Sequence, residues 1–408
     1  MANSVKQNYK INQLYVRQEF EKCLDLIDKV LEENNNSCEY ALHVKALIKR
    51  QQGSIHESLE LFQQATSLNP HNVANLKQVG RSLVLLGKHK AAIEMYEEAQ
   101  KMTAPDWEIM HNKGMCLVHL KHYNKAIECF RVALDIQPHD STFIQLGKVY
   151  SIMHNHQAAM DVYGEALEHS PENTEILTTL GILYLRANET ELAFSHLSNS
   201  LSHDPKNPRT ILAAGSIIQD QSDMDSALLK YRVAAVHTPN SPQLWNNIGM
   251  CFFGKQRCIA AIACLKKALY LGPFDWIVAY NLGLVYLNTG QPASAFHHLS
   301  ASINLKPGFA HSYMYLAIAL TQLGDIENAC LSYEKAIQLA GEPGEPVFHL
   351  NYAIMLVKAS MFTEAVPQII AFRTLFGGID EASKNPPDLE LVQQAENVEA
   401  TLRMAGLH

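Results

Sequence analysis

Apolar and polar residues alternate along this chain with the period of an amphipathic helix, and the helical pattern itself recurs every 33 or 34 residues. One helix of each repeat is marked by a small residue, a large residue four positions later and another small residue three positions after that. Ala92, Tyr96 and Ala99 are one such set. A helical pattern with this period predicts a protein built by stacking one two-helix unit on itself.

A glycine recurs at one position of the other helix of each repeat. The glycines are Gly80, Gly114, Gly147, Gly181, Gly215, Gly249 and Gly283. Glycine inside a helix costs about 1 kcal/mol relative to alanine. Seven glycines in register therefore predict that a neighbouring helix comes too close for a β-carbon. In most repeats a proline follows the second helix and predicts where that helix ends.

These positions resemble the signature of the tetratricopeptide repeat, including Trp245 at its tryptophan position. The resemblance implies an all-α, right-handed superhelix (an α-solenoid) over residues 4–379. About eleven helix-turn-helix units fit, with the first and last degenerate. An apolar stripe at helical spacing then predicts a C-terminal capping helix over 386–405; its members are Leu391, Ala395, Val398 and Leu402. The repeats leave no room for a catalytic domain, so the sequence predicts a protein that is not an enzyme.

Composition narrows the function classes further. The 408 residues carry a net charge of −8 with scattered basic residues, whereas binding to nucleic acid needs a concentrated positive face. No apolar run approaches the ~20 residues that span a bilayer, and the N-terminus lacks the apolar segment of a signal peptide. We therefore expect no nucleic acid partner, no direct membrane insertion and a reduced cytoplasmic location. No histidine pair has a Cys or carboxylate at metal-ligand spacing, so no metal or cofactor is expected.

The inner surface of a tetratricopeptide array is lined by the first helix of each unit. Over 73–241 the inward positions are mostly polar and include Lys77, Gln78 and Arg81. Over 242–343 they are apolar instead: Met250, Phe253, Ile277, Tyr280, Leu284, Leu287, Met314, Tyr315 and Ile318. An exposed apolar patch of this size is typical of a binding site. The alternative is that a tight superhelix packs these residues against one another.

Asparagines share one inward position in four of the repeats, namely Asn112, Asn247, Asn281 and Asn351. A side-chain amide can both donate to and accept from a peptide backbone. The partial ladder resembles the peptide groove of the O-linked N-acetylglucosamine transferase repeats, although asparagine is also common at this position. We predict that a partner chain lies on the inner face of 242–343, with Asn247 and Asn281 holding its backbone.

Longer strings go beyond the repeat signature. They lie at 76–94, at 272–276, at 280–286 and at Leu244-Trp-Asn-Asn-Ile-Gly-Met-Cys-Phe-Phe-Gly-Lys255. Together they resemble the Bardet–Biedl syndrome family of tetratricopeptide proteins, over about residues 11–377. The resemblance implies a non-enzymatic scaffold subunit of the BBSome, a coat-like complex that carries membrane proteins into and out of cilia. It also implies other BBSome subunits as partners, with pericentriolar satellite and dynactin components, at the cilium, basal body and centrosome.

Two other function classes stay open on the residues alone. A peptide-binding co-chaperone or adaptor would need basic side chains arranged as a carboxylate clamp, and Lys77 with Arg81 come closest to one. The regulatory half of an enzyme is supported by the partial asparagine ladder alone. The sequence favours the scaffold subunit.

Overall fold

The computed structural model describes residues 2–341, 344–377 and 386–406, and across these residues it contains only α-helices, turns and irregular segments. The expectation of an all-α fold of paired helices is confirmed. Residues 378 and 379, the last two of the predicted array, lie outside the described residues.

Contacts between residues divide the chain into two compact units, Met1–His203 and Asp204–His408. The repeat pattern gives no sign of this division, because its register continues across the boundary. The first unit contains α1 (Ala2–Val16), α2 (Phe20–Glu33), α3 (Glu39–Gln51), α4 (Ile55–Leu68), α5 (Val73–Leu85), α6 (His89–Met102), α7 (Trp107–His119), α8 (Tyr123–Ile136), α9 (Asp140–Ile152), α10 (His156–His169), α11 (Thr174–Arg186) and α12 (Thr190–His203).

The second unit contains α13 (Pro208–Asp220), α14 (Met224–His237), α15 (Pro242–Gly254), α16 (Cys258–Leu271), α17 (Trp276–Asn288), α18 (Pro292–Leu305), α19 (Ala310–Leu323), α20 (Ile326–Ala340), α21 (Pro346–Lys358), α22 (Phe362–Gly377) and α23 (Pro386–Met404). In both units each odd-numbered helix up to α21 packs against the even-numbered helix that follows it. Helix α23 packs on α21 and α22 and buries Ala395, Val398 and Leu402 against them.

Polar caps explain where many odd-numbered helices begin. The residue before the helix accepts a hydrogen bond from a backbone N–H of the first turn, as Asn72 does from Ala74 at 3.0 Å and Asp275 from Ile277 at 3.0 Å. Asn173 and Asn207 each accept two such bonds. These first N–H groups have no partner inside the helix. A polar residue at this repeat position therefore marks where the helix begins.

The turn between the paired helices contains a residue in the left-handed region in each of the eleven pairs from α1–α2 to α21–α22. Glycine occupies that place at four positions, Gly53, Gly87, Gly290 and Gly324. Other residues occupy it elsewhere, namely Gln18, Lys121, His154, Asn188, Ser222, Gln256 and Ser360. This conformation reverses the chain so that the second helix packs back on the first.

The glycine register and the large residue of the following helix form one interlocking core element. A β-carbon built on Gly80 would lie 2.7 Å from the Tyr96 ring, and one on Gly114 would lie 2.7 Å from Phe130. The same relation joins Gly147 to Tyr163, Gly181 to Leu197, Gly215 to Tyr231, Gly249 to Leu265 and Gly283 to Leu299. The predicted close approach is confirmed, and the structure identifies what approaches: the large side chain sixteen residues later.

The chain contains three tryptophans, and each has a planar or cationic partner on its ring. Trp107 of α7 stacks on His139 with a centroid separation of 4.6 Å. The ammonium of Lys267 lies 3.6 Å above the ring of Trp245, and Lys306 lies 4.0 Å above Trp276. Such contacts hold the aromatic rings near the repeat junctions.

Candidate partner-binding surface

Helices α15, α17 and α19 carry the apolar residues that the sequence places on the inner face of 242–343. Pro242 takes the first helical position of α15, where its missing N–H is harmless, and Ser241 caps the same end. Asp275 caps α17 in the same way. Because the three helices begin at the same repeat position, their inward residues fall in register.

Seven of the predicted residues form what we call the apolar floor: Met250, Phe253, Tyr280, Leu284, Leu287, Tyr315 and Ile318. All seven are half-buried, and most of them pack against one buried core cluster that contains Leu282 and Val285. Ile277, at the edge of the floor, is 43% exposed. Five of the seven thus contact the same core cluster, and none of the seven carries a charge.

Two of the predicted site residues do not line an open surface. Met314 is only 2% exposed, because it packs into the core cluster with Phe348 and Tyr352 of the next repeat. Asn281 is 8% exposed, because its carboxamide turns towards the neighbouring helix. The expectation that both face a partner directly is wrong, since burial by the adjacent repeat covers them.

The amides of this region bond to one another in sequence. Asn281 Nδ2 donates to Asn246 Oδ1 at 2.9 Å, and Asn246 Nδ2 donates to Asn247 Oδ1 at 3.3 Å. Asn247 Nδ2 then donates to the Tyr231 hydroxyl at 3.3 Å, which donates to Gln219 Oε1 at 3.4 Å. Buried polar groups are generally satisfied in this way. Asn247 stays half-buried, but its amide, like that of Asn281, already bonds within the chain.

Aromatic contacts fix the positions of the Tyr280 and Tyr315 rings in the floor. The Tyr280 ring meets Phe309 and Tyr315 edge to face, with centroid separations of 5.3 and 5.8 Å. Burial raises the pKa of both Tyr280 and Tyr315, so both hydroxyls are neutral at physiological pH. The floor therefore offers apolar contact area with neutral hydroxyls.

The predicted polar part of the inner face begins in the first unit, where the basic residues Lys77 and Arg81 are already paired. Lys77 forms an ion pair with Asp106 at 2.8 Å and another with Glu108, and Arg81 also pairs with Glu108. The acidic neighbours raise the pKa of Lys77, although its burial acts in the opposite direction. A carboxylate clamp needs free cations, so this pair does not form one.

One basic residue of this face escaped the sequence analysis. Arg50 in the last turn of α3 is half-buried and lies over the Phe62 ring at 5.4 Å. The corresponding repeat positions carry Val84, Val118 and Leu185. The sequence does signal Arg50, because it places a cation at a repeat position that is apolar in several other repeats.

Other chemistry finds no support in the described residues. Across them no group of three or more His, Cys, Asp or Glu side chains could hold a metal ion. The described helices also include none with both the length and the apolar character needed to cross a membrane.

Comparison with known proteins agrees with the repeat pattern. A family model described as the Psidin N-terminal tetratricopeptide repeat region matches residues 12–135. A model of the single tetratricopeptide repeat matches residues 242–275 and 310–343. A solved tetratricopeptide repeat protein from Parabacteroides merdae aligns with a TM-score of 0.50 and 17% identity. That alignment covers 61% of this chain and 98% of the other, and it supports the fold.

Curated relatives match over nearly the full length of this chain. The BBSome complex member BBS4 of Bos taurus is 48% identical, covering 98% of this chain and 76% of the relative. The Mus musculus protein of the same name is 49% identical with the same coverage. The chain belongs to the BBS4 family. The Drosophila melanogaster BBS4 homolog is 34% identical over 91% of this chain and 80% of its own.

Membership of the BBS4 family confirms the resemblance seen in the sequence strings and the tetratricopeptide architecture. It also points to a scaffold, because the matched relatives are named as members of a complex.

Proposed function

We propose that this chain is a non-enzymatic scaffold subunit of the BBSome, and that this coat-like complex carries membrane proteins to and from the cilium. The support is its relatedness to BBSome complex members over 98% of the chain. The proposal extends to residence in the cytoplasm, at the cilium, the basal body, the centrosome and pericentriolar satellites. Its partners would be other BBSome subunits, together with satellite and dynactin components.

We propose further that the apolar floor of α15, α17 and α19 contacts one of these partners. The observation that carries this proposal is the grouping of seven half-buried, uncharged side chains on aligned helices. Burying apolar area stabilises a complex by roughly 25 cal/mol per Å². A few large side chains can therefore dominate the affinity, and aromatic residues are enriched among such hot spots.

The test is a double substitution in the floor. Phe253→Ser with Tyr280→Ser should remove the chain from its complex, because both large rings are lost and the partner then meets polar atoms. Helicity by circular dichroism should stay unchanged. The measurement is affinity purification of the tagged chain from ciliated cells, with the co-purified BBSome subunits quantified. We expect their yield to fall at least tenfold.

A matched control comes from the outer helix of the same region. Ile259 and Tyr270 of α16 are 89% and 86% exposed, so Ile259→Ser with Tyr270→Ser makes a similar chemical change away from the floor. The control should keep full stoichiometry. Equal recovery of both double variants would show that the floor residues pack only against one another and do not contact a partner. Recovery of a chaperone or a transferase instead of coat subunits would favour one of the two other function classes.

A further inference from the structure

One edge of the second unit carries large apolar side chains that stand almost free in solvent. This edge lies where α14, α16 and α18 end and the chain turns into the next repeat. Tyr270 in the last turn of α16 is 86% exposed, and Phe274 in the turn that follows is 84% exposed. Val236, at the repeat position of Tyr270, is 76% exposed, and Leu305 at the end of α18 is 39% exposed. Apolar side chains grouped at a surface generally mark a binding site.

Two lysines lie at the same edge, each over a tryptophan ring. The Lys267 ammonium is 3.6 Å from the centre of the Trp245 ring, and the Lys306 ammonium is 4.0 Å from the centre of the Trp276 ring. These contacts keep both positive charges close to apolar surface. We call the following six residues the aromatic-basic edge: Val236, Lys267, Tyr270, Phe274, Leu305 and Lys306.

The charge around this edge is opposite in sign to that of the whole chain. Residues 226–324 contain seven Lys or Arg and a single acid, Asp275, in a chain whose net charge is −8. The Asp275 carboxylate already accepts from the backbone N–H of Ile277 at 3.0 Å. Lys255 pairs with Asp225. Among the described residues the other six cations of this stretch form no ion pair, and all six are exposed: Lys230, Arg232, Arg257, Lys266, Lys267 and Lys306. An anionic surface would therefore supply the charge that this part of the chain lacks.

The protruding rings favour a fluid partner over a rigid one. A ring that is 84% exposed rests on little protein surface, so a folded partner would have to supply nearly the whole cavity around it. Lipid headgroups and acyl chains rearrange around an inserted ring, and aromatic residues are enriched at membrane interfaces. Lysine reaches the phosphates while its long apolar stem lies deeper. A nucleic acid would meet the cations but would leave Val236 and Leu305 without an apolar contact.

We propose that the aromatic-basic edge binds the surface of a phospholipid bilayer that contains anionic lipids. Tyr270 and Phe274 insert between the headgroups, and Lys267 and Lys306 lie against lipid phosphates. The contact is peripheral, because no described helix has the length and apolar character needed to cross a membrane. It goes beyond the proposed function, because it requires no other BBSome subunit and uses none of the floor residues.

The test is flotation of the purified full chain with vesicles in a density gradient. One set of vesicles contains phosphatidylcholine alone, and the other also contains about 30 mol% phosphatidylserine, whose negative charge attracts basic surfaces. The native chain should partition onto the anionic vesicles at least about tenfold more strongly, because each lysine near an anionic surface contributes roughly fivefold. Raising the salt from about 0.1 M to about 0.5 M should remove most of this binding, since salt screens exposed charges.

Two double variants of the edge separate its apolar and its electrostatic contribution. Tyr270→Ser with Phe274→Ser should lower partitioning onto anionic vesicles about tenfold, because both inserted rings are lost. Lys267→Gln with Lys306→Gln should lower it by a similar factor and should also weaken the dependence on salt. The ring variant should keep the salt dependence of the native chain.

Each double variant has a matched control. Leu229→Ser with Ile259→Ser changes residues of α14 and α16 that are 64% and 89% exposed but lie in the first half of each helix. Lys121→Gln with Lys125→Gln removes the same charge from two exposed positions of the first unit. Both controls should partition within about twofold of the native chain, because neither alters the edge.

The proposal is overturned if the native chain floats equally with both vesicle types or with neither, or if the edge variants bind as the native chain does. Melting temperatures are compared first and should agree within about 2 °C, because every substitution is at the surface. A loss of co-purified BBSome subunits from the ring variant, with vesicle binding unchanged, would assign the edge to a protein instead. Failure of the proposed function is distinguishable, because it is measured by subunit recovery from cells, whereas flotation uses the chain alone.

Discussion

At the scale of single residues, the helix packing depends on pairs in which a glycine of the first helix leaves space for a large side chain of the second. Gly147 and Tyr163 are such a pair: a β-carbon on Gly147 would lie 2.6 Å from Tyr163 Cε2. Real β-carbons do not approach a ring this closely, so any side chain at Gly147 must displace the tyrosine. Tyr163 is 1% exposed, so its ring is enclosed by protein atoms.

Gly147→Ala should therefore destabilise the first unit by about 1–3 kcal/mol through overpacking. The matched control is Gly164→Ala in the second helix of the same repeat, where a β-carbon meets nothing within 4 Å. There alanine should stabilise the helix by up to about 1 kcal/mol. Urea unfolding followed by circular dichroism measures both changes. Equal effects of the two substitutions would mean that helix propensity, and not the tyrosine contact, governs this position.

Residue-scale burial is where sequence reasoning failed. The polarity pattern of the odd-numbered helices predicts the apolar floor, because inward positions recur with the repeat, and in the structure its seven side chains are half-buried. Met314 is covered by side chains of the following repeat, and no pattern within its own helix shows that. Arg50 was missed for a related reason. In the sequence, acidic residues such as Glu57 follow Arg50 closely and are available to pair with it. The structure shows that Glu57 instead forms an ion pair with Lys49, at 3.0 Å.

At the scale of elements, the repeat is made of two helices, a polar cap and a left-handed turn. The caps and the glycine register are readable in the sequence, so the helices could be placed from it: α15 and α16 both lie inside 242–275. The turns are less uniform. Gln256 adopts φ of 58° at the place where the next repeat has Gly290 at 68°. A residue with a β-carbon is strained in this region, by roughly 1–2 kcal/mol.

Gln256→Gly should stabilise the second unit, because strain relief outweighs the added freedom of the unfolded chain. A net gain of about 0.5–1 kcal/mol is expected. Gly290→Ala is the opposite change one repeat later, and no atom lies within 4 Å of its β-carbon. It should lose about 1 kcal/mol through backbone strain alone. Chemical unfolding of the two variants should give opposite signs; a loss for Gln256→Gly would contradict the strain argument.

At the scale of the whole molecule, each unit contains a buried thiol that resists ionisation. Burial raises the pKa of Cys116 to about 11 in the first unit and that of Cys251 to about 11 in the second. Both side chains are fully buried. Both thiols stay neutral in the folded protein at a pH where an exposed cysteine would lose its proton.

Stability should therefore fall between about pH 9 and pH 11. Below pH 9 the thiol is protonated in both states, so its contribution is fully present. Above pH 9 the unfolded chain releases the proton first, and this favours unfolding by on the order of 2 kcal/mol per thiol. Thermal melts of the native chain, Cys116→Ala and Cys251→Ala measure the effect. Both variants should show a shallower loss above pH 9 and a constant offset between pH 6 and 8; parallel curves throughout would refute it.

The positions of the three tryptophans allow the two units to be distinguished by tryptophan fluorescence. Trp107 is the single tryptophan of the first unit, and the second unit holds Trp245 and Trp276. Ring emission depends on the immediate surroundings, which for Trp107 are the stacked His139 and for the other two are lysine ammonium groups. A chain with Trp107→Phe would emit from the second unit alone. The two halves of this scaffold could thus be followed separately by their own fluorescence, without any attached dye.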